Sequence, residues 1–130
     1  MGSKERPLSP HLQVWRWHIT MAASILTRAT GVALYVGVLI VALWAVSLAS
    51  GPYTYSLFMD VMGSWLGKLV LFGLTLSIFY HLAAGVRHLV FDSGHGFAPK
   101  TADMSAALCI AFSVAATVVV WAVAFMIGAA

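Results

Sequence analysis

Three long apolar runs, parted by short polar stretches, set the pattern of the chain. The first extends from Ala29 to about Ser50, the second from Trp65 to about Val90 with Lys68 near its start, and the third from about Ala106 to Gly128. Each holds roughly 22 to 26 residues, so a helix of about 33 to 39 Å, enough to cross a hydrocarbon core of about 30 Å with some tilt. Helix is the spanning form open to such segments, because isolated strands would leave backbone groups unpaired in lipid. "SGPYTYS" after the first run and "DSGHGFAPK" after the second carry turn signals. The pattern predicts an all-α membrane protein with three transmembrane helices at about 29–50, 65–90 and 106–128. It also predicts a short interfacial N-terminal segment, within one membrane domain covering residues 1–130.

Composition excludes a small water-soluble domain. The 130 residues are 62% hydrophobic and 8% charged, against about 25% charged in soluble domains. So small a chain could not hide that much apolar surface from water. The net charge of +3 does not point to nucleic acid, since the seven basic residues are scattered rather than arrayed on one face. They bear on orientation instead. Lys4, Arg6, Arg16 and Arg28 precede the first span, Arg87 and Lys100 flank the second loop, and Lys68 alone falls on the other side. The positive-inside rule then places the N-terminus and the second loop in the cytoplasm. Trp15 and Trp17 suit the inner interface, and Tyr53, Tyr55 and Trp65 the outer one. The single cysteine, Cys109, lies in an apolar run and reads as a core residue. "SLAS" at 47–50 is not expected to be a cleavage site, because the apolar run and the segment before it are both too long. No arginine-rich transit sequence is visible, which points to a bacterial inner membrane in preference to a mitochondrial one.

The polar residues inside this oily chain need a reason. "FYHLAAGVRHLVFD" at 79–92 places His81 nine residues before Val90, about 13 Å below the polar end of a helix. A neutral imidazole at that depth wants a partner at each nitrogen. A backbone carbonyl or a serine on a neighbouring helix would serve, and so would a metal or haem iron. Gly85 at i+4 and His88 at i+7 lie on the same stripe. A glycine beside a histidine leaves room for a flat ligand, although Ala84 and Gly85 equally permit close helix packing. His81 and His88 cannot hold one iron between them, since two helical turns part them by about 10.5 Å. If His81 binds haem, the second axial ligand comes from another polypeptide or another copy of this one. Arg87 and His88, near the interface, suit anionic propionates, although Arg87 also fits a simple interfacial anchor. Asp92 closes the motif as a proton donor or acceptor, or as a helix-end carboxylate paired with Arg87.

"MAASILTRATG" at 21–31 sets Ser24 and Arg28 at i and i+4, on one face where lipid begins. A hydroxyl and a guanidinium there could donate to a carbonyl of a ligand entering from the bilayer, such as a quinone. An interfacial arginine capped by a serine is the plainer alternative. Thr27 and Thr30 can bond back to helical carbonyls and need no further role.

These stretches resemble the cytochrome b large membrane-anchor subunit of succinate dehydrogenase (respiratory complex II), over nearly the full length. "RPLSPHL" at 6–12 is similar to that family's N-terminal segment, and "SILTRATG" at 24–31 to its quinone-site motif. "HLAAGVRHLVFD" at 81–92 is similar to its haem motif, H-x-x-x-G-x-R-H-x-x-x-D. Three spans with the N-terminus inside agree with it. The resemblance implies that His81 is the axial ligand of haem b, that Ser24 and Arg28 bind ubiquinone, and that Asp92 belongs to the quinone region. It implies that Arg28, Arg87 and His88 lie near the haem propionates. It further implies a second small anchor subunit supplying the other axial histidine, with an iron–sulfur subunit and a flavoprotein subunit docked on the cytoplasmic side. The chain would then be one part of an enzyme, passing electrons from succinate to quinone, and inactive alone. Thr27 stands where many members have a histidine, so a propionate contact from that position is not expected. Two other readings remain at this stage: the anchor of a fumarate reductase, and a small transporter or channel subunit without haem.

Overall fold

The computed structural model describes residues 16–128. The stretch at 6–12, together with Lys4, Arg6, His11 and Trp15, lies outside the described residues. Four helices follow in order: α1 (Ile19–Ala49), α2 (Pro52–Gly63), α3 (Trp65–Asp92) and α4 (Pro99–Met126). No strand occurs among the described residues. α1, α3 and α4 are long and apolar enough to cross a membrane. The three expected spans are therefore present, but two of them begin earlier than the apolar runs.

α1 starts at Ile19 rather than Ala29, and α4 at Pro99 rather than Ala106. The physical reason is the same in both. An apolar run marks where lipid begins, while helix continues through polar residues such as Thr20, Ser24, Arg28, Lys100 and Asp103 into the interface. Pro99 occupies the first turn of α4, where its missing N–H costs nothing and its fixed φ suits the helix.

The connector between the first two spans also differs from the expected turn. "SGPYTYS" holds a break followed at once by a new helix. Gly51 has φ 110°, a conformation that favours glycine, and Pro52 starts α2. α2 ends at Ser64, whose hydroxyl accepts from the Gly67 N–H at 3.1 Å and caps α3. This corner is tight. A Cβ at Gly67 would overlap the carbonyl oxygens of Val61 and Met62.

α3 is central. It packs most extensively on α4, then on α1. The interior is made of small residues: Ala23, Ala84, Ala106, Cys109, Ser113 and Thr117 are all buried. Small side chains let helix backbones approach closely in lipid, where no hydrophobic force distinguishes a neighbour helix from an acyl chain. The buried hydroxyls satisfy themselves locally. Ser77 bonds the Gly73 carbonyl at 2.8 Å and Thr117 the Ser113 carbonyl at 2.7 Å. Tyr80, the large buried ring, donates its hydroxyl to the Ala23 carbonyl of α1 at 2.9 Å. Toward the other end, Trp121 of α4 donates to the Thr75 hydroxyl of α3 at 3.3 Å. Most large apolar side chains point outward, as they must where the surroundings are lipid or further membrane helices.

Candidate functional site

The site is built where the N-terminal part of α1 meets the C-terminal part of α3. Thr20, Ser24, Thr27 and Arg28 of α1, with Arg87 and His88 of α3, line a cleft of about 300 Å³. Four residues singled out in the sequence, Ser24, Arg28, Arg87 and His88, thus converge across two helices. Each helix supplies one wall: Ser24 and Arg28 are one turn apart on α1, and Arg87 and His88 are consecutive on α3.

The two guanidinium groups differ in freedom. Arg87 is held from α4: its Nε donates to the Ser105 hydroxyl at 2.8 Å and its terminal nitrogen to the Ala102 carbonyl at 3.2 Å. Its guanidinium also lies 4.5 Å from the centre of the Phe91 ring. Arg28 is exposed and makes no side-chain hydrogen bond or ion pair within the described residues. Ser24 is exposed as well, and no bond links it to Arg28. The plainer alternative, an arginine capped by that serine, is not seen. Two cations and a free hydroxyl face a cleft with no carboxylate in its lining, an arrangement suited to carboxylate or carbonyl oxygens.

Asp92 lies elsewhere. It is the last residue of α3, one turn beyond His88, exposed and outside the cleft lining. It does not pair with Arg87, which turns toward α4 instead. The ion pair among the described residues joins His18 to Asp103 at 3.4 Å, where the chain enters α1 and α4.

His81 sits about two turns deeper on α3 than His88 and is half-buried. Its Nδ1 lies 3.1 Å from the hydroxyl of Thr30 on α1. Its Nε2 has no hydrogen-bond partner among the described residues. On the α1 side the approach is close: a Cβ at Gly31 would touch His81 Cε1 at 3.4 Å. On its own helix the flank is open, since a Cβ at Gly85 would meet nothing within 4 Å. A ring nitrogen without a hydrogen-bond partner, beside an open glycine flank in an apolar bundle, fits a residue that would hold haem iron. The described residues hold no cluster of three or more metal-ligating side chains.

Two contacts were not foreseen. Thr30 does bond back to its own helix, as expected, but it also reaches His81. Ser105 anchors Arg87 from α4. Each depends on how helices distant in sequence pack, and neither carries a local signal.

Fold and site together define a three-span helical membrane subunit with a cationic cleft above a half-buried histidine. The family described as "Succinate dehydrogenase/Fumarate reductase transmembrane subunit" matches residues 2–120, and the chain belongs to it. It is 40% identical over 121 residues, 93% of both chains, to the succinate dehydrogenase cytochrome b556 subunit of Paracoccus denitrificans. It is 35% identical to the cytochrome b556 subunit of Rickettsia felis, over 90% of this chain and 91% of that one. With the mitochondrial cytochrome b560 subunit of Sus scrofa it shares 34% identity, over 91% of this chain and 70% of the other.

Proposed function

We propose that this chain is the haem b- and ubiquinone-binding anchor of a succinate:quinone oxidoreductase in a bacterial inner membrane, with its N-terminus in the cytoplasm. The observation that carries the reading is the joint placement of the Ser24–Arg28–Arg87–His88 cleft and, deeper in the same bundle, a histidine whose Nε2 is free. The naming of the relatives as succinate dehydrogenase subunits supports succinate oxidation as the working direction, rather than fumarate reduction.

In this reading His81 would hold the haem iron from this chain, and a histidine of a second small anchor subunit would hold it from the other. Haem b, when bound, supplies a one-electron redox centre whose potential depends on its ligands and surroundings. Arg87, fixed by Ser105 and the Ala102 carbonyl, would offer a steady positive charge to the propionates, with His88 beside it. Arg28 and Ser24 remain free to bond a quinone. Their donors stabilise negative charge as it builds on the quinone oxygens, in surroundings of low dielectric where such bonds count for most. Reduction to the quinol takes up two electrons and two protons. Asp92, exposed beyond the cleft, is placed in this reading to exchange protons with the cytoplasm. The electrons arrive from an iron–sulfur subunit, which receives them from a flavoprotein subunit where succinate is oxidised.

The test uses the complex purified from native membranes. Ser24→Ala and Arg28→Leu are expected to lower quinone reduction by about ten- to a hundredfold, the worth of a charge-assisted hydrogen bond of roughly 1.5–3 kcal/mol. Succinate oxidation with an artificial acceptor should be unchanged. Full quinone turnover in both variants would contradict the assignment of the cleft.

A further inference from the structure

Resting on the reading of His81 as an iron ligand, we propose that Thr30 is a positioning residue for it. The Thr30 hydroxyl accepts the proton of His81 Nδ1, fixes the tautomer that leaves Nε2 to bind iron, and raises the electron-donating strength of the ring.

The argument begins with one hydrogen. A threonine hydroxyl has a single proton and two lone pairs. In Thr30 that proton is directed to the helix: the Leu26 carbonyl lies at 2.7 Å and the Thr27 carbonyl at 3.1 Å. The oxygen is also 3.1 Å from His81 Nδ1. With its proton engaged, the oxygen meets the imidazole as an acceptor, so Nδ1 is the nitrogen that carries hydrogen. The ring form that this requires, protonated on Nδ1, keeps its lone pair on Nε2, which has no hydrogen-bond partner among the described residues.

The geometry on α1 supports this role. Gly31, the next residue, leaves the ring its place: a Cβ there would lie 3.4 Å from His81 Cε1. Thr30 and Gly31 therefore lie on one side of the ring, one within hydrogen-bond distance and the other leaving it room. Ligating histidines characteristically donate their second ring N–H to an outer partner, which sets orientation and increases basicity. Donation of the Thr30 proton to a carbonyl makes its oxygen a better acceptor, strengthening the chain of bonds. A ring that donates more strongly to iron stabilises the ferric state and lowers the potential.

The experiment compares the intact complex carrying Thr30→Val, nearly isosteric but without the hydroxyl, with Thr30→Ser, which retains it. Haem content, the low-spin electron paramagnetic resonance signal and the haem midpoint potential are read by redox titration. Thr30→Val is expected to raise the midpoint potential and shift the low-spin signal, while Thr30→Ser stays close to the unsubstituted complex. If Thr30→Val yields no haem-loaded complex, Thr30→Ala takes its place. Loss of haem in both with retention in Thr30→Ser supports the inference, and equal loss in Thr30→Ser contradicts it. Unchanged potential and resonance signal in a variant lacking the hydroxyl overturns it. A His81→Ala control separates the two levels. If haem is unaffected there, the ligand assignment itself fails; if haem is lost there but Thr30→Val is silent, only the role of Thr30 fails.

Discussion

Arg28 and Arg87 show how placement, rather than residue type, separates two roles. Both are arginines of a membrane helix, and both face the same cleft. Arg87 is tied to α4 through Ser105 and the Ala102 carbonyl and rests on Phe91. Arg28 has no such ties and can follow a ligand. Ser105→Ala should therefore act at a distance. It removes one charge-assisted bond, worth roughly 1.5–3 kcal/mol, and leaves Arg87 looser at the cleft. The expected outcome is weaker haem retention on dilution or mild heating, with succinate oxidation by artificial acceptors unchanged; the haem absorption followed against temperature checks it. The sequence made the candidates visible because helical spacing is local: Ser24 with Arg28, and His81 with Gly85 and His88, fall on single stripes. Ser105 and Thr30 were not visible as partners. Thr30 meets His81 fifty-one residues away, and only the packing of α1 on α3 brings the two together.

At the scale of elements, hydropathy located the spans but not where the first and third begin. The apolar run of the first span stops short of Ser24 and Arg28, yet both belong to α1, and that continuity gives their side chains fixed directions. Had residues 19–28 been a loop, the cleft would have one rigid wall instead of two. The Gly51–Pro52 pair was legible as a break and illegible as a helix start, because the same residues serve both purposes. The corner between α2 and α3 is the most demanding backbone site. Gly67→Ala would force a methyl group into the Val61 and Met62 carbonyls, a strain of about 1–3 kcal/mol or more. Lower assembly of the complex and a lower melting temperature are expected. Normal amounts of equally stable complex would show that the corner relaxes freely.

At the scale of the whole molecule, charge and site coincide. Among the described residues Arg16, Arg28, Arg87 and Lys100 cluster at the end of the bundle that holds the cleft, and Lys68 stands toward the other end. In the proposed reading, the positive-inside rule would orient that end toward the cytoplasm, where soluble electron-donating subunits would dock. Cysteine labelling in intact cells checks this, in a Cys109→Ala background. A membrane-impermeant maleimide should reach Ser50→Cys, between α1 and α2, and not Ser93→Cys, after α3; the reverse pattern would invert the topology.

The outward-facing apolar side chains of all three spans leave ample surface for lipid and for a second anchor subunit. The central claim is that such a pairing is completed through iron gripped by His81. The reduced-minus-oxidised optical spectrum of the purified complex carrying His81→Ala, beside the unsubstituted complex, tests it most directly. The account predicts a b-type haem spectrum in the latter that is lost or strongly altered in the former. An identical b-type spectrum in both would contradict it.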